Sequence, residues 1–137
     1  MIVLSNSAAQ TLAPGQSLTF DLVKRHAGCG EGFIQGGPAI WLKGSNPGAS
    51  YDVSYGANIG ATAPGQAQLS LQFNGVTLNE TTAISTTAAA GDLNNVARET
   101  NVPTGCGFGN GTIVLTNTGT TEITVGAGAV LKASRRS

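Results

Sequence analysis

Charged residues are scarce in this chain, and the few that occur cancel. Seven Lys and Arg residues are matched by seven Asp and Glu residues, and together they make up 10% of the 137 residues, against about 25% in an average globular protein. Without an excess of basic residues there is no field to hold a nucleic acid polymer or an anionic membrane, so neither is expected as a partner. Low charge also weakens repulsion between copies, which favours self-assembly.

Long apolar runs are missing as well. The sequence contains no stretch of 18 or more apolar residues, which excludes a transmembrane helix. The first residues, Met1 to Asn6, lack the basic segment and the long apolar segment of a signal peptide. We therefore expect the protein to be made in a cytoplasm without a leader.

Helical signals are nearly absent, so a parallel sheet with crossover helices is not expected. The best helical candidate, Thr87 to Asn95, is interrupted by Gly91 and Asp92, which predicts a loop or a single turn. Apolar and polar residues instead alternate in roughly eight short segments between Gly, Pro and Asn turns. Two such segments are Leu18–Phe20–Leu22 and the series from Tyr51 to Ile59. We predict a single domain over residues 1–137, an all-β, two-sheet antiparallel jelly-roll sandwich of about 8–10 strands.

The clearest local pattern is a hairpin. Leu69, Leu71 and Phe73 alternate with polar residues, and Asn74-Gly75 follows at once. This dipeptide readily adopts the two positive φ angles of a type I′ turn. Val76 and Leu78 should then return along the apolar face.

Two cysteines lie in matching glycine-rich contexts, Cys29 between Gly28 and Gly30, and Cys106 between Gly105 and Gly107. They are candidates for paired free thiols, which an intracellular protein favours, or for one disulfide within or between subunits. A metal site shared between subunits is the least favoured interpretation, because zinc needs about four ligands. We expect neither a metal nor a cofactor.

Signals for catalysis are weak. The single histidine, His26, could serve Cys29 as a base, but the spacing suggests no third orienting group and no strand-to-helix elbow. Phosphate-binding glycine motifs and paired carboxylates are also missing. We predict no catalytic residues and no enzymatic activity.

The run Lys24-Arg25-His26 is the main cationic cluster. Beside glycine amides it could bind an anion, with Arg98 adding charge and Trp41 a stacking surface. These five residues are the candidate ligand-binding site, although a solvated loop is the plainer interpretation. Trp41 would equally suit a sugar platform, the core or an interface.

From Ala67 onward the sequence resembles the globular heads of the tumour-necrosis-factor and complement-head superfamily. It is most similar to the C-terminal heads of bacterial collagen-like proteins of the exosporium type. The resemblance is carried by Leu69 to Val76, Thr81 to Thr87, Thr112 to Gly119, and the last strand around Val130-Leu131-Lys132. It implies a ten-strand jelly roll, a compact homotrimer with apolar residues around the threefold axis, and a non-enzymatic role.

Small stand-alone proteins of this kind also resemble accessory proteins of bacteriophage virions. We therefore predict a structural protein that is made in a bacterial cytoplasm, assembles as a homotrimer, and decorates or caps a phage virion (capsid) or a spore-type particle. The alternative is an oligomeric binding protein with which a phage sequesters an anionic nucleotide messenger at its subunit interfaces. A carbohydrate-binding module is the weaker alternative.

Overall fold

The computed structural model describes residues 1–28, 30–33, 36–44, 49–104 and 111–136. Its regular structure consists of strands and one 3-10 turn, Asn79–Thr81. In chain order the strands are β1 (Ile2–Ser5), β2 (Gln10–Leu12), β3 (Leu22–His26), β4 (Glu31–Phe33), β5 (Ile40–Leu42), β6 (Ala49–Ala61), β7 (Gly65–Phe73), β8 (Val76–Thr77), β9 (Ala83–Thr87), β10 (Asn94–Thr104), β11 (Gly111–Thr116), β12 (Ile123–Val125) and β13 (Val130–Arg135).

The strands form two antiparallel sheets. In the larger sheet β10 pairs with one edge of β6, and β12 and β13 pair with the other edge. On its far side β12 pairs with β2. On its far side β13 pairs with β1, which in turn pairs with β3. The smaller sheet runs β4-β5-β11-β7-β8, with β9 also paired to β7. This is the predicted jelly-roll sandwich, in which each sheet buries one face against the other.

The core lies between the two sheets and is built by the period of two. In β6, Tyr51, Val53 and Tyr55 are buried while the residues between them are not. In β7, Leu69 and Leu71 are also buried, but Ser70 between them is buried as well. The described residues contain thirteen strands rather than 8–10, partly because β12 and β13 pair with successive parts of one strand, β6.

The hairpin prediction is confirmed at its turn. Asn74 and Gly75 have φ angles of 50° and 83°, as a type I′ turn requires. The Asn74 side chain also accepts a hydrogen bond from the Thr112 amide at 2.9 Å, which ties the turn to β11. The prediction that Val76 faces the core is wrong: this side chain is 66% exposed, because β8 is only two residues long and lies at the sheet edge.

The strand predicted over Leu18, Phe20 and Leu22 is displaced, because β3 begins only at Leu22. Leu18 and Phe20 are nevertheless fully buried. Their amides donate to the carbonyls of Leu115 and Gly37, so the segment bonds to β11 and to a loop instead of continuing β3. Within the region Thr87 to Asn95, residues 88–93 form the predicted turn between β9 and β10, with Gly91 at a φ of 89°.

Candidate assembly face

The outer face of the larger sheet is lined by unusually small side chains along its central strand. The residues of β6 that point away from the core and are not buried are Asp52, Ser54, Gly56 and Asn58, whereas Gly60 is buried and lies against the Asp92 backbone. Small residues let another backbone or side chain approach a sheet closely. We call the outer surface of β10, β6, β13, β1 and β3 the assembly face.

Strand β10 borders the assembly face with its outer side exposed and its inner side covered in part, since Val96 and Thr100 are half-buried and Val96 packs against the core. None of residues 94–101 is buried. Directly opposed residues share a face of the sheet, so Arg98, opposite Tyr55, points to the inner side, and Glu99, opposite Ser54, points to the outer side. Both are exposed. The smaller sheet therefore covers this 11-residue strand only in part, and Val102 and Thr104 near its end are its buried residues.

The inner side of β10 makes a few polar contacts with the smaller sheet. Asn94 donates to the Ser85 hydroxyl at 3.0 Å, and the Thr100 hydroxyl donates to Glu80 at 3.4 Å. These bonds hold the strand in place, with Arg98 exposed and Val96 and Thr100 half-buried. A long edge strand of this kind is a template for pairing with another chain.

A groove runs along the assembly face between β10 and β13. One part has a volume of about 550 Å³, and a second part, of about 500 Å³, continues toward Gly56. Both parts are lined by Ser54, Glu99 and Lys132. At one end Arg136 approaches Asp52 to 3.6 Å, and Asn101 donates to Asp52 at 3.0 Å. The part beside Asp52 is mainly polar, the part toward Gly56 is mainly apolar, and the groove carries both signs of charge.

Two buried tyrosines fix the sheet that carries this face. The Tyr55 hydroxyl shares its hydrogen between the carbonyls of Leu69, at 3.2 Å, and Thr81, at 2.6 Å. Burial raises the pKa of Tyr55 to about 12, against a small opposing effect of the Arg98 charge. Burial likewise raises the pKa of Tyr51, whose hydroxyl lies 2.7 Å from the Lys43 carbonyl.

Glu31 is a site residue that sequence reasoning missed. Its side chain is 1% exposed and accepts a hydrogen bond from the Met1 amino group at 3.0 Å, which forms an ion pair. Its other oxygen accepts from the Arg135 amide at 2.9 Å. The carboxylate thereby joins β1, β4 and β13 at the end of the assembly face.

The structure separates the five predicted ligand-binding residues. Lys24, Arg25 and His26 lie together on β3, exposed, and the His26 ring lies 3.0 Å from the Glu31 carbonyl. Trp41 lies on β5 of the smaller sheet, and Arg98 lies on β10, at the opposite edge of the larger sheet. Four strand spacings, about 19 Å, separate β3 from β10. Within one chain they form no common site, and their role in binding stays a prediction.

The predicted pairing of Cys29 and Cys106 lies outside the described residues. Among the residues that are described, no group of three His, Cys, Asp or Glu side chains is placed to hold a metal ion. Within the same ranges, no helix has the length and apolar character needed to cross a membrane.

Comparison with known proteins places the fold. No protein-family model matches the sequence, and no curated protein matches it. Among solved structures, the globular domain of a zebrafish complement 1qA protein superimposes with a TM-score of 0.62 and 12% identity, covering 97% of this chain and 94% of that chain. The PRD1 vertex protein P5 gives a TM-score of 0.55 and 12% identity, covering 99% and 94%. At this identity the likeness concerns the fold: the chain has the jelly roll of the complement head and of a vertex protein.

Proposed function

We propose that this protein is a non-enzymatic structural module that assembles with copies of itself, as a homotrimer, and decorates or caps a larger particle such as a phage virion or a spore surface. The observation that carries the proposal is strand β10, in which no residue from 94 to 101 is buried and whose outer side is exposed, beside a groove of about 550 Å³. In an isolated sandwich an edge strand of this length leaves backbone groups without strand partners, whereas in an assembly a second copy can cover them.

The shape of the exposed surface favours a ring over a two-fold dimer. A two-fold contact covers the same patch on both copies. Here an edge, β10, and a face, the outer side of β6, β13 and β1, are both open. An edge that packs against a face makes a heterologous contact, and such contacts close into rings when the rotation permits. The trimer is the smallest ring of this type.

The two structural neighbours support a role in assembly. One is named as the globular domain of a complement protein and the other as a vertex protein, and both share the jelly roll over nearly the whole chain. The near-neutral composition, with 10% charged residues, also opposes close association less than a strongly charged surface would.

The oligomeric state tests the trimer directly. Native mass spectrometry and light scattering over a hundredfold range of concentration should give a species of three times the 13.7 kDa of one chain. Ala97→Arg, on the outer side of β10, should shift the protein to monomer. Ala63→Arg, on an exposed turn between β6 and β7, is the matched control and should remain trimeric. A monodisperse monomer at high concentration would overturn the trimer.

The role on a particle is tested separately. Particles of the host, purified on a density gradient, should contain the protein in stoichiometric amounts by mass spectrometry. Its complete absence from virions and spores, in cells that produce it, would contradict decoration or capping while leaving the trimer intact.

A further inference from the structure

The two sheets differ in the charge that their strands carry. The strands of the larger sheet contain charged residues of both signs, which are Lys24, Arg25, Asp52, Arg98, Glu99, Lys132 and Arg135. The strands of the smaller sheet contain one, Glu31, whose side chain is 1% exposed and paired with the Met1 amino group. Lys43 follows β5 directly and borders this sheet. Within its strands, the outer face of the smaller sheet is therefore neutral.

One large aromatic side chain stands on this neutral face. Trp41 is 41% exposed, whereas Ile40 and Leu42 beside it in β5 are fully buried, so the alternation of the strand points the indole outward. The register places Gly32 of β4 and Thr112 of β11 opposite Trp41. Gly32 has no side chain, and a Cβ there would lie 3.5 Å from the indole, so the ring lies close over the β4 backbone. Its exposed part is a surface on which a ligand can stack.

Groups that can hydrogen-bond to a ligand lie near the indole. In the next row of the face the register sets Val114, Gln72 and Thr77 opposite one another. The Gln72 amide donates to the Thr77 hydroxyl at 3.1 Å, which orients the side chain. Among the described residues, nothing donates to the Gln72 side-chain carbonyl, and nothing accepts from the Trp41 indole N–H. Two strand spacings and a step of two residues along the strand separate Trp41 from Gln72, about 12 Å.

Hydroxyl groups continue the polar surface beyond Gln72. The Ser70 hydroxyl lies 2.8 Å from the Thr82 hydroxyl and 2.7 Å from the Thr118 hydroxyl, and the Gln68 amide donates to Thr118 at 3.1 Å. These bonds hold the side chains in place. A hydroxyl offers one donor and two acceptor positions, so the half-buried Thr82 and Thr118 keep capacity for a further partner.

A neutral polysaccharide matches this combination of groups. The C–H face of a sugar ring packs against the electron-rich face of an indole, and sugar hydroxyls exchange hydrogen bonds with amides and threonines. An anionic ligand would find no charged partner within the strands of the face. A second protein would need an apolar centre to its contact, whereas glycine, threonine and glutamine surround Trp41. Because the surface is an open sheet, it suits an extended chain that lies along it.

We propose that the outer face of the smaller sheet, centred on Trp41, binds an extended, β-linked neutral polysaccharide. The indole stacks on one sugar ring, and Thr112 and Gln72 hydrogen-bond to the hydroxyls of that ring and of the rings that follow. The site lies on the opposite side of the sandwich from the assembly face. The inference therefore goes beyond the proposed function and does not depend on the oligomeric state.

Trp41 is the one tryptophan of the chain, so its fluorescence reports on this site alone. Titration with cellohexaose, mannohexaose and xylohexaose should show, for at least one of them, a saturable blue shift and protection from acrylamide quenching. Hexagalacturonate is the charged counterpart and should bind at least about tenfold more weakly. No response to the three neutral hexasaccharides at about 10 mM, or equal affinity for hexagalacturonate, overturns the proposal.

Variants locate the binding by calorimetry with the hexasaccharide that responds. Trp41→Ala should lower the affinity by about tenfold or more, Trp41→Tyr by less, because it keeps an aromatic face, and Gln72→Ala by roughly three- to tenfold. Leu93 is exposed to the same 41% as Trp41 but lies on the turn before β10, so Leu93→Ala is the matched control. Leu93→Ala and Lys43→Ala should each retain the affinity of the starting protein.

Three results would contradict the site. Unchanged affinity of Trp41→Ala, with a native circular dichroism spectrum, removes the indole from binding. A larger loss for Lys43→Ala than for Trp41→Ala indicates recognition by charge and overturns the neutral ligand. A blue shift of the Trp41 emission that follows protein concentration without sugar, together with loss of oligomers in Trp41→Ala, assigns the face to contact between copies instead.

Discussion

Both tyrosines of this chain are buried, and both hydroxyls donate to main-chain carbonyls. Tyr51 is 0% and Tyr55 3% exposed. An aromatic ring with a polar tip contributes apolar area to the core and still pairs its hydroxyl. The partners of Tyr55 are carbonyls of β7 and of the 3-10 turn, so this residue links the two sheets beneath the proposed assembly face.

The tyrosines give a pH-dependent prediction. The unfolded phenol has a pKa near 10, whereas burial raises the pKa of Tyr55 to about 12 and that of Tyr51 in the same direction. A raised pKa stabilises the folded state below pH 10, and this contribution is lost as pH rises from 10 through 12. Absorbance at 295 nm should show no tyrosine ionising near pH 10 in the folded protein, and unfolding should set in above it.

Single Tyr→Phe variants assign the signal. Tyr55→Phe should leave only the Tyr51 transition, and Tyr51→Phe only that of Tyr55. Since the sequence contains two tyrosines, a phenol that titrates reversibly near pH 10 while circular dichroism stays native would contradict the burial of one of them.

The sequence pattern around Glu31 did not indicate that this residue is buried and forms an ion pair. The residue lies among glycines, as an exposed loop residue would, yet its partners Met1 and Arg135 are 30 and 104 positions away. A pairing between such distant positions depends on how β1, β4 and β13 meet. Local periodicity describes single strands, so it does not predict a contact between strands that are far apart in the sequence.

Among the elements, the hairpin was predictable because its chemistry is local, and β10 was predictable only in part. Val96, Arg98, Thr100 and Val102 alternate with their neighbours, which indicates a strand with one buried face. In the structure only Val102 of these is buried. Alternation cannot show where the opposite sheet ends, and that boundary is why the inner side of β10 is only partly covered.

The hairpin turn gives a prediction at this scale. Gly75 has a φ of 83°, and a Cβ added there would meet nothing within 4 Å. Gly75→Ala should therefore cost only the left-handed backbone strain, about 1–2 kcal/mol, measured by urea denaturation. Gly111→Ala should cost more, because its Cβ would lie 2.3 Å from the Phe73 ring.

A neighbouring glycine supplies the control for the turn variants. Gly32 on β4 has an ordinary backbone conformation, and its Cβ would lie 3.5 Å from Trp41, a normal contact. Gly32→Ala should change the free energy of unfolding by less than about 0.5 kcal/mol. Equal losses for Gly32→Ala and Gly75→Ala would contradict the type I′ turn as the cause.

For the whole molecule, the jelly roll could be predicted from strand spacing and from the resemblance of the second half, and the solved structures confirm it. The candidate assembly face could not be predicted from the sequence. Seven positive and seven negative charges give a net charge of zero, and a net charge does not show where the charged residues lie on the surface. Glu99 and Lys132 are 33 positions apart in the sequence, and only the register through Ser54 shows that they lie in one row.

Assembly should also make thermal stability depend on concentration, because a partner that binds only the folded chain stabilises it by mass action. For a trimer, each tenfold rise in concentration adds roughly 0.9 kcal/mol per chain, which raises Tm by about 2–4 °C for a domain of this size. Differential scanning fluorimetry across two decades of concentration measures this slope. Ala97→Arg should flatten it, whereas Ala63→Arg should preserve it. Superimposable melting curves for the starting protein would show that β10 and the groove stay uncovered, which contradicts an assembled state at those concentrations.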